Sequence, residues 1–539
     1  MQKYRKREYK GDNLRQSIKH TTLHYFKRMV FSGFVVTALL VIAQFLLLFA
    51  VFFLLDNYAK YYYEGSVLLA VICMIFIIND DSNPAYKMAW SLPIILFPVA
   101  GTLLFLYFKY NFGTLAIKKI ASDIGRETYA YGITSKALRE KIHKEDPELD
   151  RISVYLEKYG AATYHHSSMQ YFPLGDDAMD PILDELEKAK KFIFMEFFMV
   201  EEGIFFDNVM AILEEKVKEG VEVRFMYDDI GCVALLPRDY TERLKAKGIK
   251  ARTFAHIYPF FSTHYNNRDH RKIIVIDGKT AFTGGLNLCD EYINAYERFG
   301  HWKDNFVMVK GEAVKGFTLL FMQTWNSVAY KKGIDYSRYL CVNLQEDSAG
   351  EELNAPKDGY VIPYGDGPYQ NENVAENVYL NILSRAKKYV YIMTPYLILD
   401  HEMEMAIIHA ARSGVDVRLI LPHVPDKKTP YYIARTYYRS LLEAGVKVYE
   451  YKPGFIHSKT FISDDVVATV GTINLDFRSL YLHYECGCLF YKNENLKDIY
   501  KDFTETFLKC ILVDRDYYET IPLWQRIYGR IMRMFGPLM

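Results

Sequence analysis

The N-terminal part of the chain is dominated by long apolar runs. Met29–Leu55 extends 27 residues without a charged side chain, between Lys27-Arg28 and Asp56. About 20 such residues cross a bilayer core, so the run predicts a transmembrane helix. Ala89–Phe108 predicts another, in which Pro93, Pro98 and Gly101 are tolerable if neighbouring helices pack against it. Tyr61–Ile78 is a weaker candidate, apolar apart from Glu64 at its outer end, which makes two or three crossings. From about residue 150 the pattern becomes short β-rich runs alternating with helical stretches, the mark of an α/β domain.

That pattern occurs twice. Ala189-Lys-Lys-Phe-Ile-Phe194, a helical stretch and Gly220-Val-Glu-Val-Arg224 recur as Ala386-Lys-Lys-Tyr-Val-Tyr391, a helical stretch and Gly414-Val-Asp-Val-Arg418. Each copy reads as a strand feeding a helix that returns into a second strand. Two similar lobes are implied, joined by the Gly-, Pro- and acid-rich stretch Glu346–Gly359.

Charge changes the picture locally. Of 66 basic and 66 acidic side chains, residues 1–28 hold nine basic and two acidic, so the remainder is net acidic. This basic arm, and Lys109, Lys118, Lys119 and Arg126 beyond the last apolar run, are both expected on the cytoplasmic side, which two crossings satisfy. A net acidic body does not make a field for nucleic acid. Seven cysteines without CxxC spacing argue against a disulfide framework or a zinc site, and Cys486 and Cys488 read as strand residues.

Each lobe carries a further repeated element, His270-x-Lys272-x4-Asp277 and His457-x-Lys459-x4-Asp464. Gly284 and Asn287 follow the first, and Gly471 and Asn474 follow the second, all at one offset of 187 residues. Positions i and i+2 of a strand share a face, so each His is expected beside its Lys. Asp277 and Asp464 belong to the catalytic motif, but their odd offset and turn-forming neighbours place them at a hairpin end, where a carboxylate fixes the turn. Two imidazoles, two ammonium groups and two amides suit a phosphodiester. Lys272, Lys459, Asn287 and Asn474 bind the non-bridging oxygens, one neutral His attacks phosphorus, and the other protonates the leaving alkoxide. This chemistry calls for neither metal nor cofactor. Each His needs a carboxylate on its other ring nitrogen, and the candidates are Asp304, 34 residues beyond His270, and Glu485, 28 beyond His457.

These residues resemble the phospholipase D superfamily, whose hallmark is two copies of HxKxxxxD with a downstream Gly and Asn. Within it the chain is similar to the bacterial cardiolipin synthases. The likeness runs from about Asn79 to the C-terminus and includes Asn83-Pro84, Asn267–Gly278, Trp302-Lys-Asp304, Thr394-Pro-Tyr396, Gly454–Lys459 and Asn474–Ser479. It implies a phospholipase D-like α/β fold of two similar lobes with pseudo-two-fold symmetry, preceded by an α-helical transmembrane anchor. It also implies a phosphohistidine intermediate and transfer of a phosphatidyl group from one phosphatidylglycerol to another, giving cardiolipin and glycerol. Hydrolysis, or transfer to a small alcohol, is the alternative within the same fold. By the same likeness His270 and His457 are nucleophile and general acid, with His270 favoured as nucleophile, and Asp304 and Glu485 orient them. Thr472 keeps the hydroxyl that usually follows the second Gly and offers it to phosphate, whereas Gly285 has none to offer.

The expected organisation is a basic cytoplasmic arm (1–28), transmembrane segments (29–108), a connector (109–150), lobe 1 (151–340), a linker (341–360), lobe 2 (361–515) and a basic amphipathic tail (516–539). In the tail Arg526, Arg530 and Arg533 recur at helical spacing opposite Ile527, Ile531 and Met534. The expected setting is a bacterial cell membrane, crossed more than once, with the catalytic part in the cytoplasm and phosphatidylglycerol and cardiolipin as lipid partners.

Overall fold

The computed structural model describes residues 59–109, 112–255, 267–330, 334–340, 359–368, 370 and 372–538, together with helical positions 42, 43, 46 and 49. The basic arm, the rest of Met29–Leu55 and nearly all of the inter-lobe linker lie outside the described residues. Two compact units separate among the described residues, one containing 117–255 and the described part of 267–530, the other containing 59–109, 112–116 and 531–538.

In the smaller unit, α1 (Ala59–Ile78) contains the one helix among the described residues long and apolar enough to cross a membrane. Ala89–Phe108 is not a single helix, which corrects the sequence expectation. It divides between α2 (Pro84–Leu96) and α3 (Pro98–Lys109). The ring of Pro98 excludes helical backbone from the residue before it, and Phe97 accordingly takes φ −135° and ψ 75°. The chain then doubles back, with Gly101 so close to the Pro93 carbonyl that a Cβ would overlap it. Trp90 of α2 meets Phe105 and Phe108 of α3 at ring separations of 5.6 and 5.5 Å. At about 1.5 Å per residue each arm measures about 20 Å, short of a bilayer core. Asn83 caps α2 by accepting from Ala85 N–H at 2.9 Å, and Pro84 occupies the first turn, where its missing N–H costs nothing.

The larger unit holds the two lobes. Lobe 1 is a mixed sheet of β1 (Ser167–Phe172), β2 (Phe192–Phe197), β3 (Glu222–Asp228), β4 (Lys250–Phe254), β5 (Ile273–Ile276) and β6 (Thr280–Gly284); the short β7 (His301–Lys303) stands apart, and β8 (Phe306–Gly311) completes the sheet in the order β1-β8-β6-β5-β2-β3-β4. Lobe 2 repeats the plan with β9 (Tyr360–Asp366), β10 (Tyr389–Met393), β11 (Asp416–Pro422), β12 (Lys447–Tyr451), the short β13 (Gly454–Ile456), β14 (Thr460–Ser463), β15 (Val467–Gly471), β16 (Glu485–Tyr491) and β17 (Cys510–Val513). Its order is β17-β12-β11-β10-β14-β15-β16-β9. In each lobe the βαβ unit is parallel (β2 with β3, β10 with β11) and the motif hairpin is antiparallel (β5 with β6, β14 with β15). Cys486 and Cys488 lie buried in β16.

One apolar core joins the lobes. Phe194, Val275 and Ala281 of the first sheet and Met393, Ile462 and Cys488 of the second belong to a single buried cluster. A separate core covers the other face of lobe 1, where helices Gly175–Glu187 and Ile204–Lys218 bury Leu183, Phe205 and Leu213. Strands buried on both faces explain why β10 reads as an unbroken apolar run and β2 as one interrupted only by the buried Glu196, rather than as alternating ones. Helix Leu523–Arg533 leaves Leu523, Trp524, Ile527 and Ile531 exposed.

Candidate active site

The two histidine motifs do not sit within their strands, as i, i+2 spacing suggested. His270–Lys272 and His457–Lys459 immediately precede β5 and β14, in extended chain that leaves its own sheet for the other lobe. Two short parallel ribbons make this crossing. β13 pairs in parallel with β7, with Ile456 opposite Lys303, so the next residues, His457 and Asp304, fall side by side. On the other side Asp269 bridges Tyr484 in parallel, so His270 and Glu485 fall side by side. Backbone bonds His457 N–H to Lys303 O at 2.7 Å and His270 N–H to Tyr484 O at 2.9 Å lock both registers.

Each imidazole is therefore held by a carboxylate of the opposite lobe. His457 Nδ1 lies 2.6 Å from Asp304 Oδ2, and His270 Nδ1 lies 2.9 and 3.0 Å from the two Glu485 oxygens. Both carboxylates are fully buried, and a donor Nδ1–H leaves Nε2 unprotonated and available in each ring. Phe198 stands edge-on to His270 at 5.0 Å, and Tyr292 stands edge-on to His457 at 5.4 Å. Neither aromatic has a sequence signal of its own.

Lys272 and Lys459 are buried beside the rings, each donating to the carbonyl of its own histidine, Lys272 at 2.7 Å. Each ammonium senses both Asp304 and Glu485, so the two motifs form one electrostatic site. Burial pushes Lys272 down to about 8 and Lys459 down to about 7. Burial, reinforced by the lysines, takes His270 well below the usual histidine value and His457 down to about 4. An empty site thus presents two neutral imidazoles in a pocket that favours an incoming anion.

The other sequence-selected residues stand one step back. Asn287 accepts from Met199 N–H at 3.0 Å and donates to Tyr292 Oη at 2.7 Å. Asn474 donates to Ser479 Oγ at 3.1 Å, and its buried Oδ1 has no partner. Thr472 gives its hydroxyl to Glu485, so it braces the carboxylate that holds His270. A Cβ at Gly285, the matching position in lobe 1, would overlap the Asp304 carboxylate, which is why a hydroxyl side chain is excluded there.

Asp277 and Asp464 do not enter the histidine cluster, which corrects their grouping with the catalytic residues. Asp277, at φ +53°, accepts from Lys190, Lys191 and Phe192 N–H at 2.7, 2.7 and 2.8 Å. Asp464, at φ +57°, accepts from Lys387, Lys388 and Tyr389 N–H at 2.6, 2.8 and 2.8 Å. Each fastens its hairpin turn to the start of the neighbouring antiparallel strand, β2 or β10. Asp277→Ala is expected to cost about 2–4 kcal/mol through stranded N–H groups and left-handed backbone. Thermal melting checks this, with a pH–activity profile that keeps its wild-type shape.

Sequence reasoning did not separate one further histidine from its Glu485 context. His483 lies two residues before Glu485, its ring 5.8 Å from that of His270. One ligand atom from each of His270, His483 and Glu485 falls within 4.8 Å of the others. Glu485, however, spends both oxygens on His270 and Thr472.

The fold and site find counterparts among known proteins. Residues 182–325 and 379–510 match the family model described as cardiolipin synthase, PLD-like domain, and residues 68–109 match the phospholipase D-nuclease N-terminal model. A cardiolipin synthase of Geobacillus kaustophilus is 32% identical over 88% of this chain and 93% of its own length. Cardiolipin synthase 2 of Bacillus anthracis is 32% identical over 87% and 89%. The crystal structure of phosphatidylserine synthase from Haemophilus influenzae superposes with a TM-score of 0.52 at 14% identity, covering 69% of this chain and 93% of that one, a likeness of fold. The family match over residues 182–325 and 379–510, with 32% identity to cardiolipin synthases along most of the chain, places the protein in the cardiolipin synthase family of the phospholipase D superfamily.

Proposed function

We propose that the chain transfers a phosphatidyl group from one phosphatidylglycerol to the hydroxyl of another, giving cardiolipin and glycerol. The observation that carries the reading is the crossed pair of His–carboxylate dyads, flanked by two buried lysines within one electrostatic site. His270 Nε2 attacks phosphorus, and the P–O bond to the glycerol headgroup breaks as His457, which takes up a proton from water at Nε2 when the anionic phosphodiester binds beside it, passes that proton to the leaving alkoxide. The hydroxyl of the second lipid then attacks, His457 takes its proton, and the P–N bond breaks. Asp304 stabilises the imidazolium of His457, and Glu485 holds the His270 ring for attack. Lys272 and Lys459 neutralise the non-bridging oxygens, and the bound phosphodiester in turn restores the basicity that burial removes from them. Asn474, with its amide close to this chemistry, steadies the Ser479 turn, and Asn287 steadies Tyr292.

Membrane residence follows from lipid substrates on both sides of the reaction. α1 serves as an integral crossing and Met29–Leu55 as its partner, an arrangement that returns the chain to the cytoplasmic face for the two lobes. The exposed Leu523, Trp524 and Ile527, with Arg530 nearby, give the tail the composition of a helix lying at an anionic surface.

Purified full-length protein supplied only with phosphatidylglycerol is expected to release glycerol and cardiolipin in equal amounts; phosphatidic acid as sole product overturns the reading. The rate should also follow pH in a set way. In the free site His457 carries the proton it must donate only near pH 4 and below, so kcat/KM is highest at the acid end of the range and declines as pH rises. As pH rises through about 7 to 8, Lys459 and Lys272 lose their charge, phosphate binding weakens and kcat/KM falls. The limb in kcat lies higher, because bound anion keeps the lysines protonated. Steady-state profiles from pH 5 to 10 measure both limbs.

A further inference from the structure

Beside the reacting site lies a second group of basic side chains that the transfer chemistry described above leaves unused. Arg268 is fully buried and gives Nε and Nη2 to Asp228 at 3.0 and 2.7 Å. Its Nη1 is buried without a partner. Arg478, an exposed residue whose partly desolvated guanidinium is held below the usual arginine value, lies within electrostatic range of Arg268. His483, its side chain 10% exposed, has no hydrogen-bond partner at either ring nitrogen and stands 3.8 Å from Glu485. Backbone bonds of 2.8 Å, from His483 N–H to Arg478 O and from Tyr484 N–H to Arg268 O, tie the three residues together. Of the nearby acids, Asp228 is engaged with Arg268, Glu485 with His270 and Thr472, and Asp476 with Ser479 N–H at 2.8 Å, while Asp269 keeps one buried oxygen without a partner and burial pushes it up to about 7.

Buried donors without an acceptor call for an anion. The donor lipid's phosphate is already placed between His270 and His457. A phosphatidylglycerol acceptor brings a second phosphate, separated from its attacking hydroxyl by a three-carbon bridge. The His483 ring stands 5.8 Å from that of His270, so the group borders the site that holds the phosphohistidine. We propose that Arg268, Arg478 and His483 form the subsite for the acceptor's own phosphodiester, so that the enzyme selects a glycerol already bearing a phosphate over water or free glycerol. This inference rests on the phosphatidyl-transfer reading. The arginines and His483 bind the oxygens of that second phosphodiester.

The second half-reaction separates the two ideas, because the phosphohistidine also accepts glycerol, which lacks the phosphate. Full-length protein in phosphatidylglycerol vesicles is given labelled glycerol, and label entering phosphatidylglycerol is measured alongside cardiolipin. Arg478→Gln should lower the ratio of cardiolipin to exchanged lipid about tenfold or more, whereas Arg478→Lys, which keeps the charge, should hold it within about threefold of wild type. Glycerol phosphate offered as a soluble acceptor in place of glycerol should lose its advantage in the Gln variant as well, which assigns recognition to the phosphate rather than to the acyl chains. An unchanged ratio in Arg478→Gln, whether both products persist or both fall together, overturns the subsite. Neither product from wild-type protein overturns the transfer reading itself.

Discussion

His270→Ala and His457→Ala are each expected to reduce cardiolipin formation by about ten-thousandfold or more, since neither half-reaction proceeds with one imidazole missing. The two losses differ in kind. A donor lipid whose headgroup is nitrophenol needs no proton on departure. With that donor His457→Ala should release one equivalent of nitrophenol per enzyme and stall as the phosphohistidine, while His270→Ala releases none. The reverse pattern would make His457 the nucleophile, and full turnover by either variant would remove the mechanism. The expectation follows from one arrangement: two neutral rings, each with Nδ1 committed to a buried carboxylate, beside lysines that await an anion.

Much of this site is legible from spacing alone, because the 187-residue offset repeats His, Lys, Asp, Gly and Asn together, and chance does not produce that. Asp304 and Glu485 are also found, by asking what a catalytic imidazole needs on its second nitrogen. What spacing cannot give is the exchange of partners. Asp304 lies 34 residues beyond His270 yet bonds His457, because β7 pairs with a strand of the other lobe. Pairing of that kind is set by the packing of two sheets on one core, which leaves no periodicity in either segment. Thr472, read from the sequence as a hydroxyl for phosphate, gives that hydroxyl in the fold to the buried Glu485, a partner no spacing in the sequence announces. In the N-terminal region hydropathy reads Ala89–Phe108 as one span, since averaging over a window hides the single residue, Phe97, that Pro98 forces out of the helix. His483 carries no signal beyond being polar at the edge of a strand, and only its unpartnered nitrogens in the fold single it out.

The crossed dyads make the carboxylates separable by experiment. Asp304→Asn and Glu485→Gln keep size and shape but cannot hold the productive tautomer, and each should lower kcat by about a thousandfold to ten-thousandfold. Because Asp304 serves His457, Asp304→Asn should behave as a damaged acid: the nitrophenyl donor restores a rapid burst, and the defect persists only in the step that needs a base. Because Glu485 serves His270, Glu485→Gln should slow the burst itself, since the ring that attacks phosphorus is no longer held. Partners within each lobe would give the opposite assignment, with Asp304→Asn slowing the burst and Glu485→Gln sparing it. Pre-steady-state release of nitrophenol therefore reads the inter-lobe pairing directly. It does so even where steady-state turnover is equally low in both variants, because the burst reports only the ring that touches phosphorus first.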